Sequence, residues 1–385
     1  MIKQRKIVCV FGTRPEAIKM APLVLALQAD LRFICKVAVT AQHRQMLDQV
    51  LRLFHIRPDY DLDIMQTGQT LYDITGRALL GLRDVLDREK PDLVLVHGDT
   101  TTTFVGALAA YYQQIPVGHV EAGLRSGNKY SPYPEEMNRK LTGSLSDIHF
   151  APTAAARENL LREGCSEGEI YITGNTVIDA LLKTVRQDYI FQEPVLAGLD
   201  FRSQRVIVVT THRRENLGGP MRQMYLAFRD ILREFPDVAL VFPVHKNPAV
   251  RSVVEEVLGG EERVLLIEPL DYEPFANLLS KSYIVLTDSG GLQEEAPSLG
   301  KPVLVLRENT ERPEAVQAGT VELVGTERSG IYEKTRELLV NQEKYLHMAR
   351  AVNPYGDGQA SRRIIQALAH FWGWTQEKPV FLLKK

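Results

Sequence analysis

Residues 284–297 read IVLTDSGGLQEEAP. The apolar run at 284–286 has the character of a buried strand and stops at Thr287, Asp288 and Ser289; Gly290 and Gly291 follow, and then a segment of helical character. A strand that turns through small residues into a helix is the repeating unit of a parallel sheet covered by helices. Two glycines at that turn leave the backbone bare. A bulky anion can then approach the first N–H groups of the helix, where the helix dipole favours negative charge. Ser289 reads as the cap of that helix.

The same grammar extends in both directions. In the first half the apolar runs are KIVCVFG (6–12), FICKVAVTA (33–41), DLVLVHGD (92–99), IPVGHVEAG (115–123), DIHFAPT (147–153) and YITG (171–174). In the second they are RVIVVTTH (205–212), VALVFPVH (238–245), VLLIEP (264–269), YIVLTDSGG (283–291), KPVLVLR (301–307) and TVELVG (320–325). Segments of helical period lie between them, so the fold class is α/β, with parallel sheets covered on both faces. At 385 residues the chain exceeds one ordinary core. The reading is two Rossmann-like, doubly wound domains facing a central cleft. Residues 1–184 form the N-terminal domain, and 185–205, charged and irregular with Pro194 and Gly198, form a linker. Residues 206–360 form the C-terminal domain. The stretch 361–385, with Ile364, Ile365, Leu368 and Phe371 at helical spacing, is expected to cross back onto the first domain.

Composition narrows the function. With 44% hydrophobic and 24% charged residues the chain is of globular type, and a net charge of -2 gives no general field for nucleic acid. No apolar run approaches the ~18 residues that a membrane span requires. The N-terminal MIKQRKIVCVFG runs from its apolar stretch straight into a turn, unlike a signal peptide. Cys9, Cys35 and Cys165 form no C-x-x-C pair, and their odd number fits a reducing compartment, so the expected location is the cytoplasm.

Ligands of doubly wound sheets bind beyond the carboxyl ends of the strands, so polar residues that end strands are the candidates. KIVCVFGTRPEAIKMAPL places Gly12 at a turn, Pro15 at a first helical position and Arg14 just before it. Arg14 reads either as a phosphate or nucleotide contact or as half of a surface ion pair. Asp99, Glu121 and Glu135, the last in the loop SPYPEEMNR, are carboxylates at or after strands. Such groups can be tuned to move protons near neutral pH. Asp99 has a rival reading as a helix N-cap before four threonines. His212 opens the basic loop HRREN and suits proton transfer or support of a leaving phosphate. Glu294 and Glu295 read either as ribose ligands or as a solvated helix face. His97, His119, His149 and His245 also lie near strand ends, but none has a partner at zinc-like spacing, so no metal is expected.

Together these stretches resemble the bacterial non-hydrolysing UDP-N-acetylglucosamine 2-epimerases. The resemblance is carried by FGTRPEAIK (11–19), TAQHRQMLDQVL (40–51), VHGDTTT (96–102), HVEAGLRSGNKYSPYPEEMNR (119–139), THRRENLG (211–218), DSGGLQEEAPSLGKPVLVLRENTERPE (288–314) and NPYGDGQASRRI (353–364). It implies the glycosyltransferase-B arrangement, a homodimer, no cofactor, and interconversion of UDP-N-acetylglucosamine and UDP-N-acetylmannosamine for cell-envelope polysaccharides. The implied route is anti elimination of UDP to a 2-acetamidoglucal, followed by re-addition. Asp99, Glu121 and Glu135 match the catalytic carboxylates of the family, and His212 its histidine. Ser289, Gly290 and Gly291 are then expected to hold the phosphates and Glu295 the ribose, with Arg14 and Arg312 supplying positive charge. Many bacterial members bind a second UDP-N-acetylglucosamine as an allosteric activator; Gln42, Gln45, Arg213 and His245 match the residues that line that site. Gly68, in MQTGQT, stands where some activated members have an arginine. A 2-epimerase of a modified UDP-sugar such as a UDP-diacetamido uronic acid, a hydrolysing 2-epimerase and a glycosyltransferase stay open as alternatives.

Overall fold

A computed structural model describes residues 3–41 and 44–381. The chain divides into two compact units, one of residues up to Leu182 together with those from Tyr355 onward, the other Lys183–Pro354.

In the first unit the strands are β1 (Arg5–Phe11), β2 (Phe33–Val39), β3 (Tyr60–Asp61), β4 (Leu93–His97), β5 (Val117–Val120), β6 (Ile148–Ala151) and β7 (Ile170–Ile172). Among the described residues they form one parallel sheet in the order β3-β2-β1-β4-β5-β6-β7. In the second unit β8 (Arg205–Thr210), β9 (Val238–Pro243), β10 (Val264–Ile267), β11 (Ile284–Thr287), β12 (Val303–Val305) and β13 (Val321–Leu323) pair in parallel in the order β10-β9-β8-β11-β12-β13. Both orders are doubly wound: the chain moves outward from the first strand of the unit, returns to its other side and moves outward again. The reversal falls between β1 and β4 in one unit and between β8 and β11 in the other.

Helices on both faces explain why the central strands read as unbroken apolar runs. Ile7, Val8, Cys9, Val10 and Phe11 of β1 are all fully buried, as are Leu93 to Val96 of β4. Each apolar run noted in the sequence contains a strand. The added one, β3, has two residues and hangs on β2 through Ala38 and Val39, too short to stand out as a run.

The stretch 185–205 is packed on the second unit and is no loose tether. The Arg186 N–H donates to Asn277 Oδ1 at 2.8 Å, Phe191 and Leu196 are buried, and Phe191 stacks on Phe201 with ring centroids 5.6 Å apart. Near the other end, helix Ala360–Phe371 belongs to the first unit. Its first N–H groups, those of Ala360 and Ser361, donate to the buried carboxylate of Asp179 at 3.1 and 2.8 Å.

Gly12 ends β1 at a point of close approach. A Cβ there would clash with Thr40 Oγ1 and lie 2.7 Å from Thr102 Oγ1, two hydroxyls that are themselves hydrogen-bonded at 2.8 Å. Gly12→Ala is therefore expected to cost about 3 kcal/mol, as overpacking of a closed site does. Thermal unfolding checks this: a melting temperature unchanged within ~2 °C would show that the threonines yield freely.

Candidate active site

The turns after β1 and β4 meet at the switch point of the first unit, and one buried carboxylate ties them together. Glu16 Oε2 accepts from the Gly12 N–H at 3.1 Å, the Thr13 N–H at 2.8 Å and the Thr13 hydroxyl at 2.7 Å. Its Oε1 accepts from the hydroxyls of Thr100 at 2.7 Å and Thr103 at 3.1 Å. Burial raises its pKa, and those donors act against the rise. Helix Arg14–Ala29 starts with Arg14 as its first residue and Pro15 as its second, one position earlier than the sequence suggested, because Thr13 and Glu16 form a capping box. Arg14 makes no ion pair with any described residue and lines the cavity above these turns.

Thr100 caps helix Thr101–Tyr112, its hydroxyl accepting from the Thr103 N–H at 3.2 Å. Asp99 is thereby released from capping. Its Oδ2 accepts from Arg139 Nη2 at 2.6 Å and Nε at 3.0 Å, and its carbonyl accepts from Asn138 Nδ2 at 2.9 Å.

Above these turns lies a cavity of about 460 Å³, lined among others by Arg14, Lys19, His97, Asp99, Glu121 and Glu135. Three carboxylates singled out in the sequence thus share one pocket with two basic residues, Arg14 and Lys19. Glu121 follows β5 with φ 64°, a left-handed backbone that a side chain bearing a Cβ adopts only where its surroundings impose it. Its Oε2 accepts from Lys19 Nζ at 2.5 Å and Asn175 Nδ2 at 2.7 Å, and His97 Nε2 lies 3.9 Å away. Glu135 is the first residue of helix Glu135–Leu145, where the sequence suggested a loop, and its Oε2 is buried with no hydrogen-bond partner among the described residues. The adjacent Glu136 is structural: it is fully buried and accepts from the N–H groups of Ser126 and Gly127 and from Arg139 Nη1. Burial works against its charge, but these donors win and hold its pKa below the usual range.

In the second unit the turns after β8 and β11 are joined by Asp288, which is fully buried. Its Oδ2 accepts from the N–H groups of His212 and Arg213, each at 2.9 Å, and from Asn216 Nδ2 at 3.2 Å. His212 Nδ1 lies 3.3 Å from Asp288 Oδ1, and the His212 ring stacks on His245 with centroids 5.6 Å apart. Burial lowers the His212 pKa; Asp288 opposes this, while Arg213 and His245 reinforce it. Ser289 does not cap the next helix. Helix Leu292–Glu295 begins further on, with Gly291 at its cap, while the Ser289 N–H donates to the Thr287 hydroxyl at 2.9 Å. A Cβ on Gly290 would meet only Arg213 Nη2, at 3.8 Å, whereas one on Gly291 would meet Glu295 Oε1 at 3.5 Å and Ser289 Oγ at 4.0 Å, so the surface beside the guanidinium is open at Gly290. Arg312 is already paired, its Nε donating to Glu294 Oε1, which makes the buried Glu294 structural and sets Glu295 apart from it.

Among the residues matched to the activator site, Gln42 lies outside the described residues. Gln45 is exposed near the start of helix Arg44–Leu53 in the first unit, whereas Arg213 and His245 belong to the second. Gly68 has φ 71°, which an arginine would adopt only under strain.

Sequence reasoning passed over Lys19, Asn175, Arg139, Glu16 and Asp288. Lys19 and Asn175 had a signal: the first lies one helical turn beyond Pro15, and the second directly follows the run YITG that holds β7. Glu16, hidden inside an ordinary helical first turn, had only its capping-box spacing from Thr13.

Comparison with known proteins agrees with this fold. The family described as UDP-N-acetylglucosamine 2-epimerase matches residues 25–369. The UDP-N-acetylglucosamine 2-epimerase of Bacillus subtilis is 57% identical over 98% of this chain and 98% of its own, and that of Escherichia coli K12 is 56% identical over 94% and 98%. The crystal structure of the Neisseria meningitidis UDP-GlcNAc 2-epimerase bound to UDP-GlcNAc superposes with a TM-score of 0.85 at 52% identity, covering 95% of this chain and all of that one. On these matches and its two doubly wound units, the chain belongs to the UDP-N-acetylglucosamine 2-epimerase family.

Proposed function

We propose that this protein is an isomerase that interconverts UDP-N-acetylglucosamine and UDP-N-acetylmannosamine by inverting C2 of the sugar. The observation that carries the reading is the gathering of Asp99, Glu121 and Glu135 in one pocket of about 460 Å³, in a chain 57% identical to a 2-epimerase. The C2 proton is not acidic, so it leaves only as the C1–O bond to UDP breaks. That bond's electron pair departs on the diphosphate oxygen while positive charge grows at C1 and the ring oxygen, the C2–H pair becomes the C1=C2 bond, and a 2-acetamidoglucal results. Addition reverses these steps after a proton has been delivered to the other face.

Glu121 and Asp99 carry the two proton transfers, one for each face, with Glu135 assisting. Carboxylates lining one pocket suit this, since one can take the C2 proton in the elimination and the other deliver a proton before the re-addition. His212 stands by the leaving diphosphate, and Ser289, Gly290, Gly291, Arg14 and Arg312 hold it, with Glu295 on the ribose. Arginines and backbone N–H groups neutralise a diphosphate without an obligatory divalent ion. The family resemblance supports a homodimer and activation by a second UDP-N-acetylglucosamine at Gln42, Gln45, Arg213 and His245. It also supports a role in cell-envelope polysaccharide synthesis. An odd number of cysteines and the lack of any described helix long and apolar enough to cross a membrane fit a cytoplasmic location.

Incubation with UDP-N-acetylglucosamine in deuterium oxide without added metal, followed by NMR of the sugar protons, is expected to yield C2-deuterated UDP-N-acetylmannosamine. Free N-acetylmannosamine would instead identify a hydrolysing enzyme, and a lack of exchange would refute epimerisation of this substrate.

A further inference from the structure

Three histidines lie on neighbouring strands of the first unit: His97 at the end of β4, His119 within β5 and His149 within β6, at most 2% exposed. Two of them have one ring nitrogen each without a partner, and His119 Nε2 contacts the Gly98 carbonyl at 2.7 Å. His97 differs: both of its ring nitrogens are buried with no hydrogen-bond partner among the described residues. It is also the one of the three that lines the cavity holding Glu121 and Lys19. A buried polar group without a partner is costly, and in a pocket the missing partner is most simply a ligand.

Burial pushes the His97 pKa down to about 4, against the opposing pull of Glu121. The ring is therefore neutral near pH 7, with one nitrogen donating and the other accepting. Such a group suits a hydroxyl or an amide, which both give and take hydrogen bonds, rather than a phosphate. Glu121 Oε2 is 3.9 Å away, so the group His97 meets sits on or next to the carbon at which Glu121 acts.

We infer that His97 is a substrate-binding residue that recognises an uncharged donor–acceptor substituent of the sugar, the 2-acetamido group or the neighbouring ring hydroxyl. The inference rests on the epimerase reading and names the part of the substrate that this side of the pocket selects.

His97→Phe keeps a flat ring and removes both nitrogens, while His97→Gln restores a donor and an acceptor. Calorimetry with UDP-N-acetylglucosamine, UDP-glucose and UDP, together with initial rates and melting temperatures, tests the inference. For His97→Phe the affinity and KM for UDP-N-acetylglucosamine are expected to worsen about 10–100-fold. UDP affinity should stay within twofold and the melting temperature should hold or rise, because an unsatisfied polar ring has been removed. His97→Gln should recover part of the loss. If UDP-glucose binding is untouched the contact is to the acetamido group, and if it weakens equally the contact is to a ring hydroxyl; either result supports the inference. Unchanged UDP-N-acetylglucosamine affinity would overturn it, as would equal loss for UDP or a lowered melting temperature with general loss of binding, which mark a packing role. Failure of the unaltered protein to exchange deuterium at C2 would sink the epimerase reading separately, whatever the variants do.

Discussion

Glu121→Gln is expected to slow C2 deuterium incorporation by about 10²–10⁴-fold, the usual contribution of a positioned proton-transfer group, while UDP affinity stays within about twofold. The substitution is nearly isosteric, so the left-handed backbone at φ 64° and the short reach to Lys19 and Asn175 place the amide where the carboxylate stood. What changes is chemical: an amide cannot accept a proton near neutral pH, and the Lys19 ammonium loses its counter-charge. The Lys19 and Glu121 side chains are 20% and 8% exposed, so removing one charge of the pair also costs stability, which a melting curve reads apart from the loss of rate. The measurement is NMR of the sugar in deuterium oxide beside calorimetry with UDP. Exchange at more than about a tenth of the original rate would move the proton-transfer role at C2 to Asp99 and Glu135 alone.

Why Glu121 could be found in the sequence, and Lys19 could not, follows from the two kinds of order in a doubly wound sheet. A strand buried on both faces writes itself as an apolar run, so its end is visible, and Asp99, Glu121 and His212 all stand within two residues of such an end. Which strand ends come together depends on sheet order, and no single run records that. The β1–β4 adjacency that brings Arg14 to Asp99 is a pairing over more than eighty residues of sequence. Helix-borne groups are harder still, because a lysine or glutamate in the first two turns of a helix is ordinary on any surface. Lys19 and Glu16 become functional candidates only once the turn beneath them is known to face a carboxylate or a hydroxyl. Local caps mislead for a related reason: Asp99 and Ser289 both carry favoured capping side chains, yet Thr100 and Gly291 occupy the cap positions, one or two residues along. A shift of that size is what frees Asp99 to point into a pocket.

Asp288→Ala should be the most disruptive single change in the second unit, at about 3–5 kcal/mol. The carboxylate is fully buried and holds the N–H groups of His212 and Arg213 and the side chain of Asn216, which is itself 3% exposed. Alanine leaves the N–H groups of His212 and Arg213 without an acceptor and Asn216 Nδ2 with only the Leu306 carbonyl, at 3.2 Å, so the cost is that of stranded donors rather than of one hydrogen bond. For a unit of this size that loss should lower the melting temperature by about 10 °C, readable by calorimetry. Function should follow through position. The basic turn after β8 carries His212 and Arg213, and with its anchor gone UDP affinity is expected to fall about tenfold or more even at temperatures where the unit stays folded. Charge gives an independent signature. Asp288 opposes the burial-driven lowering of the His212 pKa, so its removal should lower that pKa further, and an NMR titration of the His212 ring follows this directly. Asp288→Asn keeps an oxygen acceptor without the charge; it should lose less stability than alanine yet show the same direction of shift at His212. A His212 titration unmoved by either variant would separate the histidine from Asp288 and leave the buried carboxylate as a purely structural brace.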